Sequence, residues 1–373
     1  MDTLLIKNLE SNPWYDDVVF KGWSEFLPWT ACRTTIGGDM GTSNEDFEVE
    51  EIPAYMPSGS GEHLYLWIEK SGKGTPEVLK SVQAAFGVKE IAVGYAGKKD
   101  AHAVTRQWIS VHTPSDDPQP IDALNALGWM KVLKTTRHAN KLRLGHLRGN
   151  LFKIRIYGAT QDDKQIDSAI DTLKKNGFIN YFGKQRFGFD GSNVAQGMHV
   201  LAGQKMPHQK RLLLVSAVQS AIFNCMAAQR FEEVADAATK GDVLQKIHSG
   251  CFICEDPDTD SSRIRDNCVA VTLPLFGKKY MSSSGYARDL ECRCSDAFFR
   301  DWTKAFSCDG DVAFDLHGLS KFASGDRRQF IIRPEILTFI RNDADCIEVR
   351  FALPSGCYAT VLLRHLCGAS FTR

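Results

Sequence analysis

In the stretch GYAGKKDAHAVTRQW, Gly94 to Trp108, a single carboxylate, Asp100, follows Lys98 and Lys99. The turn has no second acid, no serine or cysteine nucleophile and no metal-ligand set. A phosphate-binding loop needs Gly-x-x-x-x-Gly-Lys-Ser/Thr. Here Ala92 stands at the first glycine position and Lys99 at the hydroxyl position, so that reading fails. Acid–base cleavage of a glycosidic bond needs a partner acid across a cleft, and nothing in the sequence nominates one. Two readings remain. Asp100 is a lone nucleophilic carboxylate, or it is a turn aspartate paired with a neighbouring lysine.

The elements around the turn decide whether it is presented to a cleft. EDFEVEEIP reads as a strand, and EHLYLWIEK as another, with Leu64, Leu66 and Ile68 alternating against Tyr65 and Trp67. TPEVLKSVQAAFG predicts a helix capped by Thr75, with Pro76 in its first turn and Gly87 at its end. EIAVGY enters the turn as a short strand and AVTRQWISVH leaves it as one. Alternation sets Val104, Arg106 and Trp108 on one face and Thr105, Gln107 and Ile109 on the other. Further on, NLFKIRIYG and CIEVRFALP predict strands, and QIDSAIDTLKKNG a helix. RLLLVSAVQSAIFNCMAAQRFEEVADAAT predicts a long helix whose first half is buried on most sides. Strands are often adjacent in sequence, which favours an α+β fold over a doubly wound sheet.

Composition narrows the class. A chain of 373 residues is one large domain or two modest ones. It has no run of about 18 apolar residues that would read as a membrane span. The first residues, MDTLLIKNLESNPWYDD, lack the basic start and apolar centre of a leader, so a cytoplasmic protein without a membrane partner is expected. The eleven cysteines read as reduced thiols. A zinc site from Cys251 and Cys254 with Cys292 and Cys294 is not expected, because a strand through CFIC points the first two to opposite faces. Net charge is zero, yet Lys131 to Gly158 contains no acid among many Lys, Arg and His. One-signed charge gathered in one segment suits a polyanion such as RNA.

The motif AGKKDAHAVTRQW resembles the signature of the TruD family of pseudouridine synthases. The likeness continues in order through NEDFEVEEIP, PSGSGEHLYLWIEKSG, RHANKLRLGHLRGNLFKIRI, NYFGKQRFGFDGSN, SAVQSAIFN, GDVL, PLFG, GDRRQF and LPSGCYATVLLR, from about Arg33 to Leu366. That resemblance implies a catalytic domain with a mixed, largely antiparallel sheet and flanking helices at 1–179 and 332–373. A TRUD domain is inserted at 180–331. It also implies an isomerase that makes pseudouridine from uridine in RNA, with tRNA position 13 as the usual target, and no cofactor or metal. A non-catalytic RNA-binding protein on the same scaffold, or a nucleoside glycosidase, stays open at this point.

By the same resemblance Asp100 is the nucleophile, Phe152 stacks on the target base, and Asn150 hydrogen-bonds around it. Phe47 and Tyr358 complete the aromatic lining. Lys98, Lys99, Arg106, Lys141, Arg143 and Arg148 are candidates for RNA contact or for electrostatic support of Asp100, while Lys184, Arg186, Lys205, His208, Lys210 and Arg211 would line a cleft for folded RNA. There is one departure. Family members often carry a lysine six residues before the phenylalanine of EDF; here that place is Gly41, and Asn44 takes the place of a proline. Another cation is then expected to stand in, and Lys98, Lys99 and Arg106 are the candidates.

Overall fold

The computed structural model describes residues 13–25, 27–28, 35–114, 120–247, 249–306, 313–368 and 371. The initial segment, read above as lacking a leader, falls outside the described residues up to Asn12. The chain divides into two compact units. One takes Met1–Arg33, Lys175–Arg333 and Thr360–His365; the other takes Thr34–Lys174, Pro334–Ala359 and Leu366–Arg373. The helix Pro13–Lys21 groups with Lys175–Arg333. The reason is local: Trp302 Nε1 donates to Val19 O at 3.1 Å, and Tyr15 Oη donates to Asp301 at 3.0 Å.

The unit of Thr34–Lys174 is built on a nine-stranded sheet. In chain order its strands are β1 (Gly37–Met40), β2 (Phe47–Pro53), β3 (His63–Ser71), β4 (Val93–Tyr95), β5 (Val104–His112), β6 (Met130–His138), β7 (Leu147–Ala159), β8 (Leu337–Arg341) and β9 (Cys346–Pro354). The spatial order is β8-β9-β7-β2-β5-β3-β6, with β1 on β7 and β4 on β5. Every pair is antiparallel except β2 with β5. The sheet is therefore mixed and largely antiparallel, as the family resemblance implied.

One face of β3, carrying Leu64, Leu66 and Ile68, is buried against Ile109 and Val111 of β5 and against Val78 and Val82 of helix α1 (Thr75–Phe86). Full burial of such side chains contributes roughly 1.5–3 kcal/mol each. Gly87 ends α1 in the left-handed conformation at φ 63°, which a residue without a Cβ adopts freely. Thr75 does not cap the helix, however. Gly74 is the capping residue, and Thr75 is already helical, its hydroxyl occupied elsewhere.

In the other unit, strands Cys251–Ile253, Val243–Lys246, Val269–Leu275 and Asp326–Gln329 form a four-stranded antiparallel sheet in that order. The helix His208–Val234 is long and apolar enough to cross a membrane, but 83% of its apolar window is buried inside the protein. Burial runs densely from Leu214 to Arg230, so the first half is buried on most sides as expected, with Leu212 and Leu213 exposed at its start. Arg230 closes on Asp242 with two bonds of 2.9 and 2.8 Å, the paired geometry that makes a buried guanidinium tolerable. Cys292 and Cys294 lie on the helix Gly285–Phe306. Among the described residues no group of three or more His, Cys, Asp or Glu could hold a metal ion.

Candidate active site

Residues directly opposite one another in neighbouring strands share a face of the sheet. The registers Phe351↔Phe152, Phe152↔Val49, Val49↔Thr105 and Thr105↔Lys70 therefore define one row across β9, β7, β2, β5 and β3. The next row holds Leu353, Asn150 and Glu51. Two expected binding residues, Asn150 and Phe152, thus fall on one face together with acid and base side chains that the sequence reading did not nominate.

Phe152 is 6% exposed and stacks on Phe351 with ring centroids 5.2 Å apart and planes at 21°, while Phe47 lies 6.1 Å away. The Asn150 Oδ1 is buried without a hydrogen-bond partner, as are Thr105 Oγ1 and Gln107 Nε2 on the same face. A buried polar atom left unpaired costs about 1–3 kcal/mol; Thr105 and Gln107 are fully buried, whereas Asn150 is only partly so. Tyr358 follows the end of β9 by four residues and is half-buried.

Asp100 lies in the segment between β4 and β5, and it is exposed. The residue just before it is held from beneath. The backbone N–H of Lys99 donates to Thr75 Oγ1 at 2.8 Å, and that hydroxyl donates to Gln107 Oε1 at 3.2 Å. The Lys99 ammonium donates to Glu51 Oε2 at 3.0 Å, with side chains 3% and 0% exposed. Glu51 also accepts the backbone N–H of Trp108 at 3.4 Å. Burial pushes the Glu51 carboxyl upward, and Lys99 pulls it back only in part. From the side, the ammonium of Lys70 donates to the backbone carbonyl of Asp100. Burial pushes Lys70 down to about 8, against the pull of Asp100 and Glu77.

The candidate cations separate. Arg106 is on the opposite face of the sheet, bonded to Glu48 (3.3 Å), Glu50 (3.7 Å) and Glu69 (2.7 Å). Across β2, Lys153 of β7 pairs with Glu48 at 2.9 Å and Glu348 at 3.3 Å, and a cavity of about 280 Å³, lined also by Leu151 and Phe152, opens among these charges. Arg106 therefore belongs to an ion-pair net away from the Asn150 face. Lys99 is consumed by Glu51 and is not free for phosphate. Lys98, Arg143 and Arg148 are exposed, and Lys141 donates to Ile91 O at 2.6 Å. The basic run from Lys131 to Gly158 is thus partly neutralised by acids of β2 and β9.

The geometry also accounts for Gly41. A Cβ there would lie 2.2 Å from Asp46 Oδ2 and 2.7 Å from Tyr157 Cε2. Burial alone would raise the Asp46 carboxyl, but bonds from the Ser43 hydroxyl and amide, with Tyr157 and Arg155, hold it below the usual range. An aspartate fixed in that way leaves position 41 no room for a side chain.

Lys70 and Glu51 are the buried charged residues bonded to the Asp100 turn that sequence reasoning missed. A signal was available: Lys70 continues the buried Leu64-Leu66-Ile68 alternation, and Glu51 continues Phe47-Val49.

Comparison with known proteins gives this architecture a family. The model of tRNA pseudouridine synthase D (TruD) matches residues 28–204 and 192–366. The chain is 38% identical over 343 residues to tRNA pseudouridine synthase D of Anaeromyxobacter sp. (strain Fw109-5), covering 89% of this chain and 93% of that one. It is 35% identical over 359 residues to a protein of the same name from Thermus thermophilus, covering 94% of each. A crystal structure from Methanosarcina mazei, described as a candidate tRNA pseudouridine synthase D (TruD), shares the fold with a TM-score of 0.67 at 18% identity, over 98% of both chains. With a family match across most of the sequence and relatives of this identity and coverage, the chain belongs to the TruD family and is an isomerase that converts uridine to pseudouridine in tRNA.

Proposed function

We propose that Asp100 is the carboxylate that carries the reaction, acting on a uridine of tRNA at the position 13 suggested by family resemblance. The observation that supports this most is the contrast within one turn. Asp100 is exposed, whereas Lys99 beside it is buried and tied to Glu51 and Thr75. Such a turn holds one acid in a fixed place while leaving its oxygens open to substrate, which is what a positioned nucleophile needs.

The target nucleotide leaves its stack to reach the site. The carboxylate attacks or assists at C1′, and the N1–C1′ bond breaks with its electron pair going to the uracil. The held uracil turns so that C5 faces C1′, the C5–C1′ bond forms, and C5 gives up its proton while N1 regains one. Atoms and electrons balance without a redox partner or group donor, and no cofactor is called for. The aromatic ring of Phe152 is of the type that holds a base by stacking. The unpartnered Asn150 Oδ1 suits an N–H on the base edge. Lys98, Arg143 and Arg148 are the exposed cations suited to phosphates.

We assign the catalytic role to the unit of Thr34–Lys174 and Pro334–Ala359, the TRUD insertion to Lys175–Arg333, and the location to the cytoplasm. Mapping pseudouridine on a tRNA transcript treated with wild type and with Asp100→Ala tests the assignment. The expected product is a single pseudouridine at position 13 with wild type and none with the variant. Modification elsewhere overturns the target, and modification by Asp100→Ala overturns the role of the acid.

A further inference from the structure

Asp100 needs something to fix it, and the side chains first suited to that task are unavailable. Position 41 is closed by Asp46. Lys99 is paired with Glu51, Arg106 faces the other side of the sheet, and Lys98 is exposed. Lys70 remains. It is 1% exposed, has no carboxylate within ion-pair distance among the described residues, and gives a hydrogen bond to the backbone carbonyl of Asp100. An ammonium buried with a backbone carbonyl as its hydrogen-bond partner, and no carboxylate in direct contact among the described residues, is expensive. Apolar packing does not account for it either, since Met130 and Thr105, its partners on β6 and β5, would pack equally well against a methionine at that position.

We propose that Lys70 is the positioning residue of the catalytic turn, fixing the Asp100 backbone through its carbonyl and setting a positive charge beside the reacting carboxylate. This rests on the reading of Asp100 given above. The charged groups that face Lys70 are Asp100 and Lys99 from the turn and Glu77 from α1; its strand partners Thr105 and Met130 carry no charge. Of the three, the two acids favour the ammonium and Lys99 opposes it, with burial the dominant opposing effect. The ammonium therefore loses its proton only modestly above neutral pH, and the neutral amine is both a weaker donor and no longer a charge.

The test is single-turnover pseudouridine formation on an unmodified tRNA transcript between pH 6.5 and 9.5, with tRNA binding measured in parallel. Wild type should slow on an alkaline limb centred near pH 8. Lys70→Met should be at least about 30-fold slower at pH 7, bind tRNA within twofold of wild type, and lack that limb. Lys70→Gln, which keeps a donor but no charge, should recover part of the rate and none of the limb. A Lys70→Met enzyme at wild-type rate, a loss explained wholly by weaker tRNA binding, or a wild-type rate flat across this range overturns the proposal. Should Lys70→Met not fold, the wild-type profile and Lys70→Gln still decide it. An active Asp100→Asn enzyme instead removes the reading of Asp100 itself, whatever Lys70 does.

Discussion

Replacing Lys99 by methionine removes one member of a buried ion pair while keeping most of its length. The Lys99 and Glu51 side chains are 3% and 0% exposed and 3.0 Å apart. At an effective dielectric near 20, that attraction is about 5 kcal/mol before desolvation is subtracted. Losing Lys99 leaves the Glu51 carboxylate buried with only the Trp108 N–H, and breaking such a pair from one side costs roughly 3–5 kcal/mol. The double variant Lys99→Met/Glu51→Gln removes both charges and keeps an acceptor for Trp108, so it should recover most of that loss and sit within about 1.5 kcal/mol of wild type. The pH dependence has a definite sign. The Glu51 carboxyl is already raised in the folded state, and it rises further without Lys99. Stability tied to a raised acid is present at low pH and fades as pH climbs through the folded value. The deficit of Lys99→Met is therefore largest near pH 7 and shrinks towards pH 5. Urea unfolding of the four proteins in the cycle, followed through tryptophan fluorescence at both pH values, measures all of this. A cost below about 1 kcal/mol for Lys99→Met, or a double variant no better than the single, refutes the claim that this pair anchors the turn.

Arg106→Ala should leave pseudouridine formation within about threefold of wild type and cost near 1 kcal/mol in unfolding measurements, because the guanidinium serves a half-exposed net on the far face; a hundredfold loss of rate with intact folding would contradict this. Gly41→Lys should destabilise by about 1–3 kcal/mol through collision with Asp46, and a variant faster than wild type would show that position 41 can host the missing cation after all. Arg143→Ala with Arg148→Ala should weaken tRNA binding and lower its salt slope by about one to two units, and an unchanged slope would place both side chains away from the RNA.

Much of the sheet was readable from period-two alternation, as in Leu64, Leu66 and Ile68 of β3, because a strand with one buried face leaves that signature. The same alternation already separated Arg106 from Thr105 and Gln107. It could not say which side faced Asn150 and Phe152, since that depends on β2 joining β5 and β7 joining β2 from afar. Thr75 illustrates the opposite failure. A threonine before proline is a sound local signal for a helix cap, but its hydroxyl was taken by Lys99, a tertiary partner 24 positions away. Lys70 and Glu51 went unread for a related reason. Charged residues at buried strand positions look like interruptions of the pattern until their partners arrive from the turn before β5. Phe351 stacks on Phe152 only through the β9–β7 pairing, between residues nearly two hundred positions apart.

The most direct check on the whole account is single-turnover chemistry by Asp100→Asn, an isosteric change that removes the charge and leaves the turn in place. With tRNA binding confirmed at wild-type strength, the account predicts no pseudouridine above background. Formation of pseudouridine at a rate near that of wild type would contradict it.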